Sequence, residues 1–277
     1  MTIDEIIELA LREDLGNGDH TSLATIPEGA FSQARLLVKE AGVLCGMELA
    51  QHIFHRLDPH LEFIPLLSDG QKIKPGDVAF IVRGNPINIL SGERLALNFM
   101  QRLSGIATQT RRLVDAVEGF HAKLLDTRKT TPLLRELEKY AVRVGGGHNH
   151  RFGLFDMILI KDNHVDFAGG ISQAIRAVHR YLAVKNLDLK IEIEVRNFDE
   201  LGQVLAEGGV HRIMLDNFSP GDLRLAIERI DGRYETEASG GITLANIREY
   251  AATGVDYISV GALTHQIHSL DLSLKAF

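Results

Sequence analysis

The sequence predicts a two-part α/β protein. A small sheet with helices comes first, and a run of β-then-α units follows that can form a complete or partial barrel. Three observations predict it. Up to residue 120, short β-leaning runs are broken by Gly, Pro and Asp turns. Beyond it, short apolar runs alternate with segments of helical period. Those later apolar runs end, one after another, in polar residues or glycines.

The elements follow in order. Residues 3–12 place Ile3, Ile6, Ile7, Ala10 and Leu11 on one helical face with acids opposite, and Leu-Gly-Asn-Gly-Asp-His ends that helix. Runs 31–39, 42–46, 61–67 and 78–84 predict strands, with Lys-Pro-Gly-Asp at 74–77 as a turn and a helix around 47–57. From 87 to 117 the period is helical through Leu90, Leu97, Met100 and Leu103, and Ser104-Gly105 predicts a break or bend. Strands are predicted at 123–126, 157–160, 191–195, 212–215, 234–238 and 257–260, with helices at 171–182, 198–207, 223–230 and 244–252. Thr131-Pro132 predicts a further helix start. Leu133, Leu137, Tyr140 and Val144 form its buried face, while Arg135, Glu136, Glu138 and Lys139 read as solvated, and Gly145-Gly146-Gly147 ends it.

Composition excludes several classes. The chain has 277 residues, 45% hydrophobic and 24% charged, which suits a soluble protein with a sizeable core. No apolar run is long enough to span a membrane, and the acidic start lacks the basic and apolar regions of a signal peptide. A formal charge of −7 with 6% aromatics argues against nucleic acid as a partner. Cys45 is the only cysteine, so no intrachain disulfide forms; a cytoplasmic location fits, and Cys45 reads as a small core residue. No His-Glu-x-x-His or Cys-x-x-Cys motif suggests zinc, and no P-loop or Gly-x-Gly-x-x-Gly element occurs.

The polar strand ends carry the chemistry. Lys161 follows Met-Ile-Leu-Ile, Glu194 lies in Ile-Glu-Ile-Glu-Val, and Asp216 follows Arg-Ile-Met-Leu. Ser239-Gly240-Gly241 and Gly261 follow the last two runs. In parallel strands these groups share the face where barrel enzymes keep their active sites. The two glycine turns suit a phosphate, because backbone N–H groups approach its oxygens closely. Glu194 and Asp216 can hold ribose hydroxyls, bind Mg²⁺ or stabilise positive charge on a sugar carbon. Glu192 faces the same side as Glu194, either as a second cavity acid or as a barrel-interior residue. Arg128 and Lys129 follow one strand, and the three glycines bring His150 and Arg151 back towards the same mouth. An acidic protein that gathers cations there points to a strongly anionic ligand.

These residues sit in motifs that resemble the quinolinate phosphoribosyltransferase family. They are Glu-Asp-Leu-Gly-Asn-Gly-Asp-His-Thr-Ser (13–22), Asn-Phe-Met-Gln-Arg-Leu-Ser-Gly-Ile-Ala-Thr (98–108), Asp-Thr-Arg-Lys-Thr-Thr-Pro (126–132), Gly-Gly-Gly-His-Asn-His-Arg (145–151), Ile-Lys-Asp-Asn-His (160–164), Glu-Val (194–195), Met-Leu-Asp-Asn (214–217), Glu-Ala-Ser-Gly-Gly-Ile (237–242) and Ile-Ser-Val-Gly-Ala-Leu-Thr (258–264). The resemblance spans nearly the whole chain. It implies an N-terminal α/β sandwich domain, 1–108 with the tail 265–277 returning to it, and a C-terminal open α/β barrel at 109–264, the type II phosphoribosyltransferase arrangement.

The resemblance also implies the reaction: quinolinate and 5-phosphoribosyl-1-pyrophosphate (PRPP), with Mg²⁺, give nicotinate mononucleotide, pyrophosphate and CO₂ in NAD biosynthesis. It implies a homodimer, or a larger assembly of dimers, with shared sites to which Arg102 is donated across the interface. Lys161, Glu194 and Asp216 are the implied catalytic residues, with Glu194 and Asp216 towards Mg²⁺. The implied substrate-binding set adds Arg102, Thr127, Arg128, Lys129, His150, Arg151, Ser239, Gly240, Gly241, Val260, Gly261 and Ala262. The rival readings are an aldolase-type barrel with a Schiff base on Lys161, a sister transferase using nicotinate or a divergent paralogue with another acceptor, and a binding module without catalysis.

Overall fold

A computed structural model describes residues 2–277. The chain runs α1 (Ile3–Leu15), α2 (His20–Thr25), β1 (Ser32–Val38), β2 (Gly42–Val43), α3 (Met47–Leu57), β3 (Glu62–Pro65), β4 (Lys72–Ile73), β5 (Val78–Gly84) and α4 (Pro86–Ala116). Then come β6 (Lys123–Leu125), α5 (Arg135–Val144), β7 (Ile158–Ile160), α6 (Asp162–Ala168), α7 (Ile171–Lys185), β8 (Ile191–Val195), α8 (Phe198–Glu207) and β9 (Arg212–Asp216). The last elements are α9 (Pro220–Ile230), β10 (Glu235–Ser239), α10 (Ile247–Ala251), β11 (Tyr257–Ser259), α11 (Ala262–His265) and β12 (Leu272–Ala276). Two compact units result: one up to Arg111 with 131–146 and 264–277, the other 112–130 with 147–263.

The first unit is built on an antiparallel sheet in the order β12-β1-β5-β3. In β1, Ala34, Leu36 and Val38 are buried on alternate positions, the period of a half-covered strand. Phe54 of α3 joins Phe63 and Phe80 of the sheet in an aromatic cluster with ring centroids 4.5–6.1 Å apart. The tail enters as β12, pairing Leu274 with Leu36.

Four expectations fail in this unit, and packing explains them. Ser104-Gly105 does not break α4, which runs 31 residues. Ser104 Oγ accepts the Cys45 N–H at 2.9 Å and sits 3.2 Å from the Cys45 carbonyl, while a Cβ on Gly105 would collide with the His268 carbonyl. The pair serves close approach, not a bend. The helix expected from Thr131-Pro132 begins instead at Arg135; Leu133 stands at φ 68°, 70% exposed. Glu138 and Lys139, read as solvated, are buried with Leu137, Ala141 and Val142. This segment, expected with the barrel, groups with the first unit. Tyr140 donates to Asp69 at 2.8 Å, and Gly145 lies against Thr110 and Ala107.

The second unit is a parallel sheet in the order β6-β11-β10-β9-β8-β7. All five residues of β8 are buried, so both faces of that strand are covered. Ile191, Ile193 and Val195 occupy one face, and Glu192 and Glu194 the other. The acid face closes on itself. Ligand atoms of Glu192 on β8 and Glu237 on β10 come within 4.8 Å although β9 lies between them, whereas strands two apart in a flat sheet stand roughly 10 Å apart. The sheet therefore curls around its polar face. β6 and β7 end the hydrogen-bonded order, which makes an open barrel.

Candidate active site

Strand β7 delivers Lys161, which stands at the N-cap of α6 in extended geometry; its N–H donates to His164 Nδ1 at 2.9 Å. Lys161 Nζ lies 3.3 Å from Glu194 Oε2, at the end of the neighbouring strand. Asp216 closes β9 and is near enough to act electrostatically on Glu194. Burial, joined by the Asp216 charge and opposed by the Lys161 ammonium, raises the Glu194 pKa above the usual carboxylate range. One ammonium and two acids thus meet at three successive strand ends. The neighbouring strand β10 ends at Ser239, whose carbonyl accepts the Asn217 N–H at 2.8 Å. Gly240 follows at φ 96°, with Asn217 Oδ1 where a Cβ would sit, so that turn requires glycine. Gly241, at φ 61°, faces open space within 4 Å of its missing Cβ. Val260 is held by its N–H to the Leu125 carbonyl at 3.0 Å, followed by Gly261 and Ala262 at the start of α11.

Sequence reasoning missed the residue that organises the basic loop. Asp126, fully buried after β6, accepts the His150 N–H at 2.8 Å and the Asn149 side-chain amide at 2.6 Å. An acid directly after an apolar strand was its only signal, and the adjoining Thr127, Arg128 and Lys129 drew the reading instead. Thr127 Oγ1 accepts the Lys129 N–H at 3.0 Å, tightening that turn. Arg151 donates to the Met157 carbonyl at 3.1 Å. Burial and the nearby Arg128 guanidinium lower the Arg151 pKa, and two guanidinium groups this close suit an anionic ligand.

His150 reaches two acids of the barrel interior. Its side chain is 6% exposed, with Nε2 3.0 Å from Glu192 Oε2 and 3.4 Å from Glu237 Oε2. Glu192, open between two roles in the sequence, is therefore a barrel-interior acid. Arg212 completes the group: Nη1 lies 3.1 Å from Glu237 and 3.9 Å from Glu192, and the guanidinium stacks 3.9 Å from the Tyr257 ring centroid. Among the described residues, His150, Glu192 and Glu237 are the one His/Cys/Asp/Glu group with metal-ligand spacing. The Arg212 charge already balances one of its acids, so it reads as an ion-pair network. Two contacts pull the ring in opposite directions. The Arg151 N–H reaches Nδ1 at 2.7 Å and needs a lone pair there, whereas the two carboxylates favour the imidazolium. Burial also opposes the charge, but the two acids outweigh it and the pKa moves up to about 9. Burial and the Glu237 charge push the Glu192 pKa itself up to about 7, so the three groups share their protons, and Glu237 is the acid held ionised, its pKa lowered by His150 and Arg212 against the cost of burial.

Arg102 lies in the first unit, on α4, held by Glu138 and Thr131. Cys45 is fully buried, and burial pushes its thiol pKa up, as suits a packing residue. Among the described residues no helix is long and apolar enough to cross a membrane.

Fold and site together define an α/β enzyme whose cations, acids and glycine turns gather at parallel strand ends. The models of the quinolinate phosphoribosyl transferase N-terminal and C-terminal domains match residues 19–104 and 106–275. The chain belongs to the quinolinate phosphoribosyltransferase family. It is 46% identical to the Nicotiana tabacum protein named quinolinate phosphoribosyltransferase [decarboxylating] 2b, mitochondrial, over 99% of this chain and 82% of that one. The crystal structure of NadC from Streptococcus pyogenes superposes with a TM-score of 0.93 at 40% identity, covering 99% of this chain and 95% of the other. The nicotinate-nucleotide pyrophosphorylase of Francisella tularensis gives 0.93 at 41% identity, covering 99% and 96%.

Proposed function

We propose that this chain transfers the phosphoribosyl group of PRPP to quinolinate, releasing pyrophosphate and CO₂ and forming nicotinate mononucleotide for NAD biosynthesis. One observation carries the reading: in a member of this family, Lys161, Glu194 and Asp216 meet at successive strand ends. The pyridine nitrogen uses its lone pair to bond C1 of the ribose, and the C1–O bond to pyrophosphate breaks with its electrons leaving on oxygen. Glu194 and Asp216 stabilise the positive charge that grows on the sugar or hold its hydroxyls. Arg102, Arg128, Arg151 and Lys161 take the two carboxylates of the diacid, with Lys129 towards the pyrophosphate. Ser239, Gly240, Gly241, Val260, Gly261 and Ala262 cup the 5-phosphate. The quaternised nitrogen then draws the electron pair of the neighbouring C–CO₂⁻ bond onto the ring, CO₂ departs, and that carbon takes up a proton.

Mg²⁺ fits the donor set. Glu194 and Asp216 are hard oxygen donors whose mutual repulsion a divalent cation relieves. When bound, the ion supplies charge neutralisation for the pyrophosphate. We infer a homodimer, alone or within a larger assembly, in which Arg102 of one subunit serves the site of the other. Exposed Leu154 and Phe155, at 67% and 70%, support a covered surface beside the basic loop. The single buried Cys45 suits the cytoplasm.

The test is incubation with Mg²⁺, PRPP and either quinolinate or nicotinate, following CO₂ and mononucleotide. Mononucleotide from quinolinate with equal CO₂ supports the reading; mononucleotide from nicotinate alone overturns the substrate. Borohydride trapping of a keto substrate on Lys161 would instead establish the Schiff-base chemistry of an aldolase.

A further inference from the structure

Arg102 is gripped along one edge by a buried acid. Its Nε donates to Glu138 Oε1 at 2.9 Å and its Nη2 to the same oxygen at 2.6 Å. Nη2 also reaches Thr131 Oγ1 at 2.7 Å and the Thr264 carbonyl at 3.3 Å. The second oxygen of Glu138 accepts the Thr131 N–H at 3.1 Å. The Glu138 side chain is 0% exposed and that of Arg102 28%. The acid therefore holds the guanidinium from the protein side, and Nη1 takes part in none of these bonds.

Stability alone gives a weak reason for this arrangement. α5 packs through Leu137, Ala141 and Val142, and an apolar side chain between them and α4 would fill the same space. An acid there instead fixes one rotamer of a long cation. Each oxygen of the carboxylate is used, so its position is set on both sides. Thr131 belongs to the loop that carries Arg128 and Lys129 and leads into α5, which links this clamp in sequence to the basic motif.

We propose that Glu138, assisted by Thr131, is a positioning residue that pre-orients the Arg102 guanidinium for a carboxylate of the diacid substrate. The inference rests on the reading, given above, that Arg102 contacts that substrate. Its physical content is preorganisation. The rotamer freedom of Arg102 is removed on folding, so substrate binding does not have to remove it. Losing such a contact raises KM for the diacid and leaves kcat nearly unchanged, because the interaction is equal in ground and transition states.

The experiment is a double-mutant cycle in the full-length protein with Mg²⁺ and saturating PRPP, reading KM for quinolinate and kcat separately. Arg102→Ala and Glu138→Ala should each raise KM about tenfold, with kcat within about threefold. Glu138→Gln, which keeps one acceptor oxygen, should recover part of the loss. The double variant should match Arg102→Ala alone, because Glu138 acts through that side chain. Additive effects, or a Glu138→Ala KM equal to wild type, overturn the proposal. An unchanged KM in Arg102→Ala overturns instead the assignment of Arg102 to the substrate. Should Glu138→Ala fail to fold by near-UV circular dichroism, Thr131→Val tests the same clamp, with a smaller KM rise that vanishes on the Arg102→Ala background; additivity there sinks the idea equally.

Discussion

His150 Nε2 and Glu192 Oε2 stand 3.0 Å apart in the barrel interior, where the imidazole is 6% exposed and the carboxylate fully buried. In most α/β barrels branched apolar side chains fill that interior. Here Glu192, Arg212, Glu237 and Tyr257 occupy part of it, and His150 enters from the loop that also carries Arg151. The polar interior is therefore coupled by direct contact to the residue after His150, whose backbone N–H reaches Nδ1 at 2.7 Å.

The pairing of His150 with Glu192 and Glu237 makes stability depend on pH. The His150 pKa is pushed up to about 9, against about 6.5 for an unfolded histidine. Burial works against the charge, and the Glu192 and Glu237 carboxylates overcome it. A raised folded pKa contributes stability that is complete below about pH 6.5 and is lost as pH climbs through about 9. The melting temperature should fall across that window in the wild-type protein and fall less steeply in His150→Gln. Removing the partner of two buried acids should also lower stability by about 3–5 kcal/mol. Calorimetric melts at intervals from pH 6 to 9.5 decide it, on a scale set by those two pKa values; parallel curves for the two proteins would refute the ion pair.

Lys161 offers a cleaner separation of chemistry from folding. Its side chain is 47% exposed, so the 3.3 Å pair with Glu194 is screened and adds little to stability. Lys161→Ala should lower turnover on the order of 10²–10³-fold. Its melting temperature should match wild type. Arg151→Ala should act mainly on KM for quinolinate, since a guanidinium beside Arg128 binds charge that is present before and after transfer. Steady-state kinetics with thermal melts check both; wild-type mononucleotide production by either variant removes it from the site.

The sequence made the second unit more legible than the first. Its parallel strands announce themselves because each is a short apolar run with a polar terminus, and Lys161, Glu194, Asp216 and Ser239 fall at those ends. What escaped depends on contacts distant in sequence. Ser104-Gly105 is indistinguishable from a breaker until the Cys45 and His268 backbones are laid against it. Glu138 has the spacing of a solvated residue and becomes a buried one because Arg102, 36 residues earlier, supplies its counter-charge. The contact of His150 with acids two strands apart depends on strand neighbours that no local pattern shows. Local pattern fixes elements; the fate of a charge depends on what the fold brings to it.

The Mg²⁺ role proposed for Glu194 and Asp216 has a direct test. The Asp216 charge disfavours the ionised form of Glu194, and Lys161 offsets this from one side only. Chelation with EDTA should abolish activity, and Mg²⁺ should restore it. Asp216→Asn should raise the Mg²⁺ concentration needed for half-maximal rate by about tenfold, the loss of one charged oxygen donor. A Mg²⁺ titration of both proteins at fixed PRPP measures this, and coincident curves would take Asp216 out of that role.

Gly105 supplies a test of the first unit alone. A Cβ there would collide with the His268 carbonyl and come within 3.1–3.2 Å of the His268 carbonyl carbon and the Ser269 Cα, all of them backbone atoms. No flexible side chain end can move aside. Gly105 is also inside a helix, where alanine is favoured over glycine by roughly 1 kcal/mol when space allows. The two effects oppose each other, and the steric one is the larger: forcing a backbone segment away in a packed interior costs about 1–3 kcal/mol or more. Gly105→Ala should therefore melt below wild type, whereas Gly202→Ala in α8, with nothing within 4 Å of the added Cβ, should melt at or above it. Opposite signs for two identical substitutions in helices separate close packing from helix propensity. A stabilised Gly105→Ala would show that the tail does not press on α4 at that point.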